Sequence, residues 1–185
     1  MSGAVSVRTA APADLAEVDA LLARSYPRIL AADYAPSVMV LAVPIIARAR
    51  PELLASGRYY LALDSNGVVL GAGGWSMDAP GPSDQRPPDQ GPSDLPKGRA
   101  EPNRTGHVRH VATDPDALRR GVGRAIMKAV FDAASGAGVT GLHCMSTRTA
   151  EPFYASLGFR KIGLIEVPLR PGITFPAVQM RCDLS

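Results

Sequence analysis

The chain has 185 residues, 46% of them apolar and 20% charged, with 20 Lys and Arg against 17 Asp and Glu. Such a composition fits one globular domain and argues against wholesale disorder; at this length folding buries roughly 70% of the surface that the unfolded chain exposes. The formal charge is only +3, and only Arg119, Arg120 and Arg124 cluster, so neither a nucleic-acid partner nor a basic stripe to receive one is expected.

The first nine residues lack the basic-then-apolar pattern of a secretory signal. No apolar run approaches the ~18 residues of a membrane span, so no membrane partner is expected. Val5–Arg8 reads as a short strand. A helix follows over Ala11–Arg24, with Pro12 in its first turn and Leu15, Val18, Leu21 and Leu22 on one face. Ser37–Ala49 reads as a second helix with Pro44 disturbing its middle. Tyr59–Leu63 and Val68–Trp75 are strands, and Asp64-Ser-Asn-Gly between them is a hairpin turn in which Asn-Gly supplies positive φ.

Residues 79–105 break the pattern. Seven of the chain's 17 prolines lie there, and Leu95 is the segment's one large aliphatic residue. It buries too little apolar surface to offset its ordering entropy and reads as a mobile loop, either simply exposed or folding over a ligand. Gly-Pro-Ser-Asp occurs twice in it, too few copies for a repeat architecture. The loop need not divide the chain, and residues 1–185 are read as a single domain.

Beyond the break, His107–Thr113 reads as a strand, Asp114–Asp116 as a turn and Gly121–Ala134 as a helix. Ile126, Ala129, Val130 and Ala133 form that helix's apolar face, and Ser135-Gly136 ends it. Val139–Met145 is a strand, Thr149–Leu157 a short helix, and Phe159–Ile162 and Ala177–Cys182 are the last strands. This order gives an α/β fold class: a mixed sheet with helices on both faces. Cys144 and Cys182 cannot form a disulfide framework or a zinc cage, so a reducing compartment, the cytoplasm, is expected.

Chemistry concentrates between Val111 and Met127. A strand enters a turn and then a helix that opens on Gly121-Val-Gly123. Glycine costs stability in a helix, and close approach of the backbone to a ligand is one reason to accept it. The first helical N–H groups lack partners and sit at the positive end of the helix dipole, where phosphate fits. Arg119, Arg120 and Arg124 add positive charge. A tight strand-to-helix turn that needs glycine for packing alone is the competing reading. The Walker and dinucleotide-binding glycine patterns are both absent.

Arg120-Gly-Val-Gly-Arg-Ala125 resembles the R/Q-x-x-G-x-G/A signature of the GNAT superfamily of acyl-CoA-dependent N-acyltransferases. Ala150–Phe159 resembles that family's second signature, a helix and strand carrying a tyrosine and Leu-Gly-Phe. The resemblance implies a mostly antiparallel sheet with a splayed parallel strand pair. It also implies acetyl-CoA as the cofactor and transfer of its acetyl group to a primary amine of a small molecule or peptide. Pyrophosphate would lie on the N–H groups of Gly121, Val122, Gly123, Arg124 and Ala125, with Arg119 and Arg120 beside them. Pantetheine would run along Val111, Ala112 and Thr113, with Val139–Met145 across the gap. The N–H near Val111 would face the thioester oxygen. Dimers are common in the family, so a homodimer is entertained, although no interface is legible.

Tyr154 matches the family tyrosine that faces the sulfur, as an acid for the leaving thiolate; its packing between Phe153 and Leu157 is the plainer alternative. Where many members carry a glutamate as base, Gly106–Thr113 offers only His107 and His110 as candidates. In a regular strand they point to opposite faces, and a bulge would change that. Either histidine is equally readable as a satisfied strand residue, and Cys144 reads as an inert buried thiol. His143, Trp75, Ser146 and Thr147 are candidates for acceptor contact. The missing carboxylate leaves a non-catalytic acyl-CoA-binding or sensing module as the alternative, and a longer acyl chain as a variant.

Overall fold

A computed structural model describes residues 4–78 and 104–184 of the chain. Strands β1 (Ser6–Thr9), β2 (Tyr59–Leu63), β3 (Val69–Ser76), β4 (Thr105–Thr113), β5 (Gly141–Ser146), β6 (Arg160–Arg170) and β7 (Ile173–Asp183) form one sheet in the order β1-β2-β3-β4-β5-β7-β6. Neighbours are antiparallel except β4 and β5, which run parallel. This parallel pair holds together only from Thr105 opposite Gly141 to His107 opposite His143, and then it splays. All but the last two residues of the loop expected at 79–105 lie outside the described residues; Thr105 already belongs to β4.

Helix α5 (Val122–Gly136) packs across β1 to β4, and α1 (Leu15–Leu30) packs against β3 and β4. The strand period of two separates these layers. On β2, Leu61 joins the cluster of Val18, Leu21 and Leu22, whereas Ala62 joins that of Val122 and Ile126. Each fully buried aliphatic side chain removed from water stabilises the fold by about 1.5–3 kcal/mol.

The helical segments differ from expectation in instructive ways. The first helix begins with a 3-10 turn at Pro12–Asp14 and continues to Leu30, past the expected end at Arg24 and through Pro27. The expected helix over Ser37–Ala49 is two short ones, α2 (Pro36–Leu41) and α3 (Val43–Ile46). A further helix, α4 (Pro51–Ala55), follows. Pro36, Pro44 and Pro51 each sit in a first turn, where a missing N–H costs nothing, so the prolines open helices here. At the other end, β6 and β7 are each 11 residues long and form a hairpin turning at Pro171-Gly172, well beyond the short strands expected.

Candidate active site

The site is built around a defect in β4. Ala72 faces Ala112 and Gly74 faces Arg109, so Gly73 stands opposite both His110 and Val111. This is a β-bulge, and His110 takes φ of 48° to make it. The Tyr59 hydroxyl donates to the His110 carbonyl at 3.0 Å, and Ser25 Oγ donates to the Thr113 carbonyl at 2.7 Å. Two side chains from the α1 side of the sheet therefore hold the strand on either side of Val111 and Ala112.

A cavity of about 720 Å³ opens where β4 and β5 diverge. Val111, Ala112 and Thr113 line it from β4, and Cys144 and Met145 from β5. Arg119, Gly121, Val122, Gly123 and Arg124 line its α5 end, and Phe153 and Tyr154 of α6 (Glu151–Ala155) close it. Of the residues expected to hold a diphosphate, Arg120 and Ala125 are not among this lining. The Ala125 N–H is already committed, donating to the Gly121 carbonyl at 2.9 Å.

The glycines of α5 serve two different ends. Gly121 is the N-cap, with φ of 80°, a conformation costly for any residue with a Cβ. Gly123 has another constraint: a Cβ there would stand 3.0 Å from Phe153 Cζ. Close packing of α6 on α5 thus accounts for the second glycine, whatever ligand approaches the helix. Arg124 also reaches α6, donating to Ser156 Oγ at 3.2 Å. The two motifs of the sequence form one packed unit.

Tyr154 is buried in the main core cluster, edge-on to Phe153 and to Phe159. Its hydroxyl lies near the Cys144 thiol; burial, with that thiol beside it, holds the phenol well above its ordinary pKa. Burial likewise pushes the Cys144 thiol up to about 12, so it stays protonated at neutral pH and is a poor nucleophile. Tyr26, which the sequence reading overlooked, is half-buried nearby, and desolvation raises its pKa too. Its signal lay in the stripe Leu22, Tyr26, Ile29, Leu30, which continues the helical period past Arg24.

A second cleft of about 1030 Å³ lies beside the first. It is walled by α3 and α4, by the tip of the β6–β7 hairpin and by Arg109. The two cavities share Tyr26, Val108, His110, Met145 and Thr147. His110 thus stands at their junction. Burial, together with Arg109 and Arg50, pushes its imidazole down to about 4, so it is neutral at pH 7 with a lone pair available.

His107 lines neither cavity. Its ring lies 5.7 Å from that of His143, and burial lowers the pKa of both. His143 is likewise absent from both linings, and Trp75 is a core residue, 1% exposed, packed with Val108 and Met127. Ser146 is buried and donates to the Thr147 carbonyl, so of these two candidates Thr147 is the one that faces both cavities. Among the described residues no cluster of three or more His, Cys, Asp or Glu could hold a metal ion, and no helix is long and apolar enough to cross a membrane.

Comparison with known proteins bears on this geometry. Residues 94–184 match the Acetyltransferase (GNAT) domain family. No curated protein matches the chain in sequence. In structure it is similar to a GCN5-related N-acetyltransferase from Rhodopseudomonas palustris, at 18% identity and a TM-score of 0.70, covering 100% of this chain and 97% of that one. It is also similar to the PaiA N-acetyltransferase of Thermoplasma acidophilum, solved with coenzyme A, at 11% identity and a TM-score of 0.66, covering 97% and 99%. A GCN5-related N-acetyltransferase from Kribbella flavida matches at 21% identity and a TM-score of 0.58, covering 98% of each chain. By the sequence match over residues 94–184, and with a mixed sheet holding one splayed parallel pair, the chain carries a GNAT acetyltransferase domain.

Proposed function

We propose that the chain works as a single-domain N-acetyltransferase, taking acetyl-CoA in the cavity between β4, β5 and α5 and a primary amine in the adjoining cleft. The observation that carries this reading is the meeting of the two cavities at His110, one residue from the strand backbone that a thioester would face. Support for coenzyme A comes from the N–H groups of Val122, Gly123 and Arg124 at the start of α5, which have no partner within the helix, and from Arg119 and Arg124 beside them. It comes also from the coenzyme A complex of the similar PaiA N-acetyltransferase. Two free, buried cysteines suit a reducing cytoplasm.

Bound there, acetyl-CoA supplies a thioester whose C–S bond breaks as the amine nitrogen bonds the acyl carbon, one proton passing overall from nitrogen to sulfur. Each step needs a group from this chain. The Val111 N–H, beside the bulge, serves as donor to the developing oxyanion. Tyr154, already next to a sulfur atom in Cys144, serves as proton donor to the departing thiolate. His110, neutral and at the junction, accepts the amine's proton directly or through water. A thiol-release assay with acetyl-CoA and a panel of amines tests the reading. Turnover that collapses in Tyr154→Phe while coenzyme A affinity holds supports it; coenzyme A binding without turnover of any amine assigns the chain to binding or sensing instead.

A further inference from the structure

The cleft beside His110 has an uneven charge. Among the described residues, Arg48, Arg50, Arg109 and Arg170 line it against one acid, Glu52, while Ile45, Ile46, Val167, Leu169 and Phe175 supply an apolar wall. The arginines come from three separate elements: the α3–α4 connection, β4 and the tip of the β6–β7 hairpin. Arg48 is paired with Asp19, and Arg109 is buried and donates to Ser76 Oγ at 3.0 Å. Arg50 and Arg109 both lie close enough to His110 to depress its pKa, so their field reaches the junction of the two cavities.

Resting on the acetyltransferase reading above, we propose that this cleft selects an amine that carries its own carboxylate on an apolar body, the chemistry of an apolar α-amino acid. The arginines suit the carboxylate, since guanidinium groups pair with carboxylates in a fixed fork geometry. Their combined field disfavours a second positive charge, so it lowers the pKa of the acceptor ammonium and favours the neutral, attacking form. The carboxylate in turn offsets the two arginines, which add to burial in holding the His110 imidazole down, and so raises its basicity when the acceptor is seated. A dication, or an amine with no anion, meets the same field without any compensation.

The experiment compares matched pairs in the thiol-release assay at saturating acetyl-CoA: L-phenylalanine against L-phenylalaninamide, and L-methionine against L-methioninamide. The free acids are expected to be preferred by about 10–100-fold in kcat/KM, even though the amides carry the more easily deprotonated amine. In Arg170→Gln, at an exposed position, and in Arg50→Gln, that preference is expected to fall about tenfold through KM, with coenzyme A affinity unchanged. Equal use of acid and amide, better use of a peptide amide, or a preference indifferent to both substitutions overturns the proposal. Calorimetry with N-acetyl-L-phenylalanine and its amide, in the presence of coenzyme A, separates the two readings. Salt-sensitive binding of the acid alone, without turnover of any probe, overturns acyl transfer and keeps the anion site; no preference in binding or turnover removes the anion site.

Discussion

The cavity between β4, β5 and α5 and the cleft beyond His110 are neighbours built from different material. The first is framed by backbone: a bulged strand, a parallel pair that parts after three residue pairs, and the open end of a helix. The second is framed by side chains from short helices and a hairpin tip. A backbone frame needs particular residues at fixed spacing, glycine above all. A side-chain frame needs only suitable groups brought together from distant segments. That is why one cavity announces itself as a motif and the other as a surplus of arginine.

Substitutions can break this comparison, beginning with the largest effect. Tyr154→Phe is expected to lower kcat by on the order of 100-fold with coenzyme A affinity within twofold of the parent. An equal loss in both would make Tyr154 a packing residue alone. Next is the joint between the motifs. Gly123→Ala forces Phe153 to move and is expected to cost about 1–3 kcal/mol in denaturant unfolding. Phe153→Leu in the same chain should recover part of that loss; a strictly additive double variant would show that the two residues do not touch.

The histidines give an intermediate effect. All three of the chain's histidines have lowered pKa values, His110 to about 4. The unfolded chain, with histidine near 6.5, therefore binds more protons than the folded one over this interval. Stability is fully present above pH 6.5 and is lost as pH falls toward 4. The groups facing His110 that set its share are Arg109 and Arg50; the neutral phenols of Tyr26 and Tyr59 lie close by. His110→Asn should remove the largest part of the decline, about 3 kcal/mol at most, read as midpoint denaturant against pH.

The smallest effect is expected far from both cavities. Arg8 holds the Asp14 carboxylate at 2.8 Å and pulls its pKa down to about 2. This pair adds stability that is present above the ordinary carboxylate pKa and lost as pH falls toward 2. Near the surface it is worth about 1 kcal/mol or less, so Asp14→Ala should shift unfolding slightly and leave turnover alone.

What the sequence disclosed follows the same division. The central strands and α5 were legible because alternation and helical period are local signals; Tyr59–Leu63 is a strand end to end. The Asp64–Gly67 turn was legible too, although only Gly67 takes positive φ; Asn66 does not. Prolines misled the reading because Pro44 and Pro51 open helices that propensity alone would break. The long β6–β7 hairpin was hidden because its outer strand is half exposed and carries Pro168. His107 and His110 could not be separated without the bulge, which depends on Gly73 and Tyr59 across the sheet. Tyr26, Arg50 and Arg109 had no motif to mark them, since only folding brings them to one place.

Amide chemical shifts of isotopically labelled protein during a coenzyme A titration test the central claim most directly. The expected result is saturable change concentrated at Val111, Thr113 and Val122–Arg124, with little at Val167–Arg170. Absence of any change, or change confined to the hairpin tip, would contradict the assignment of the two cavities.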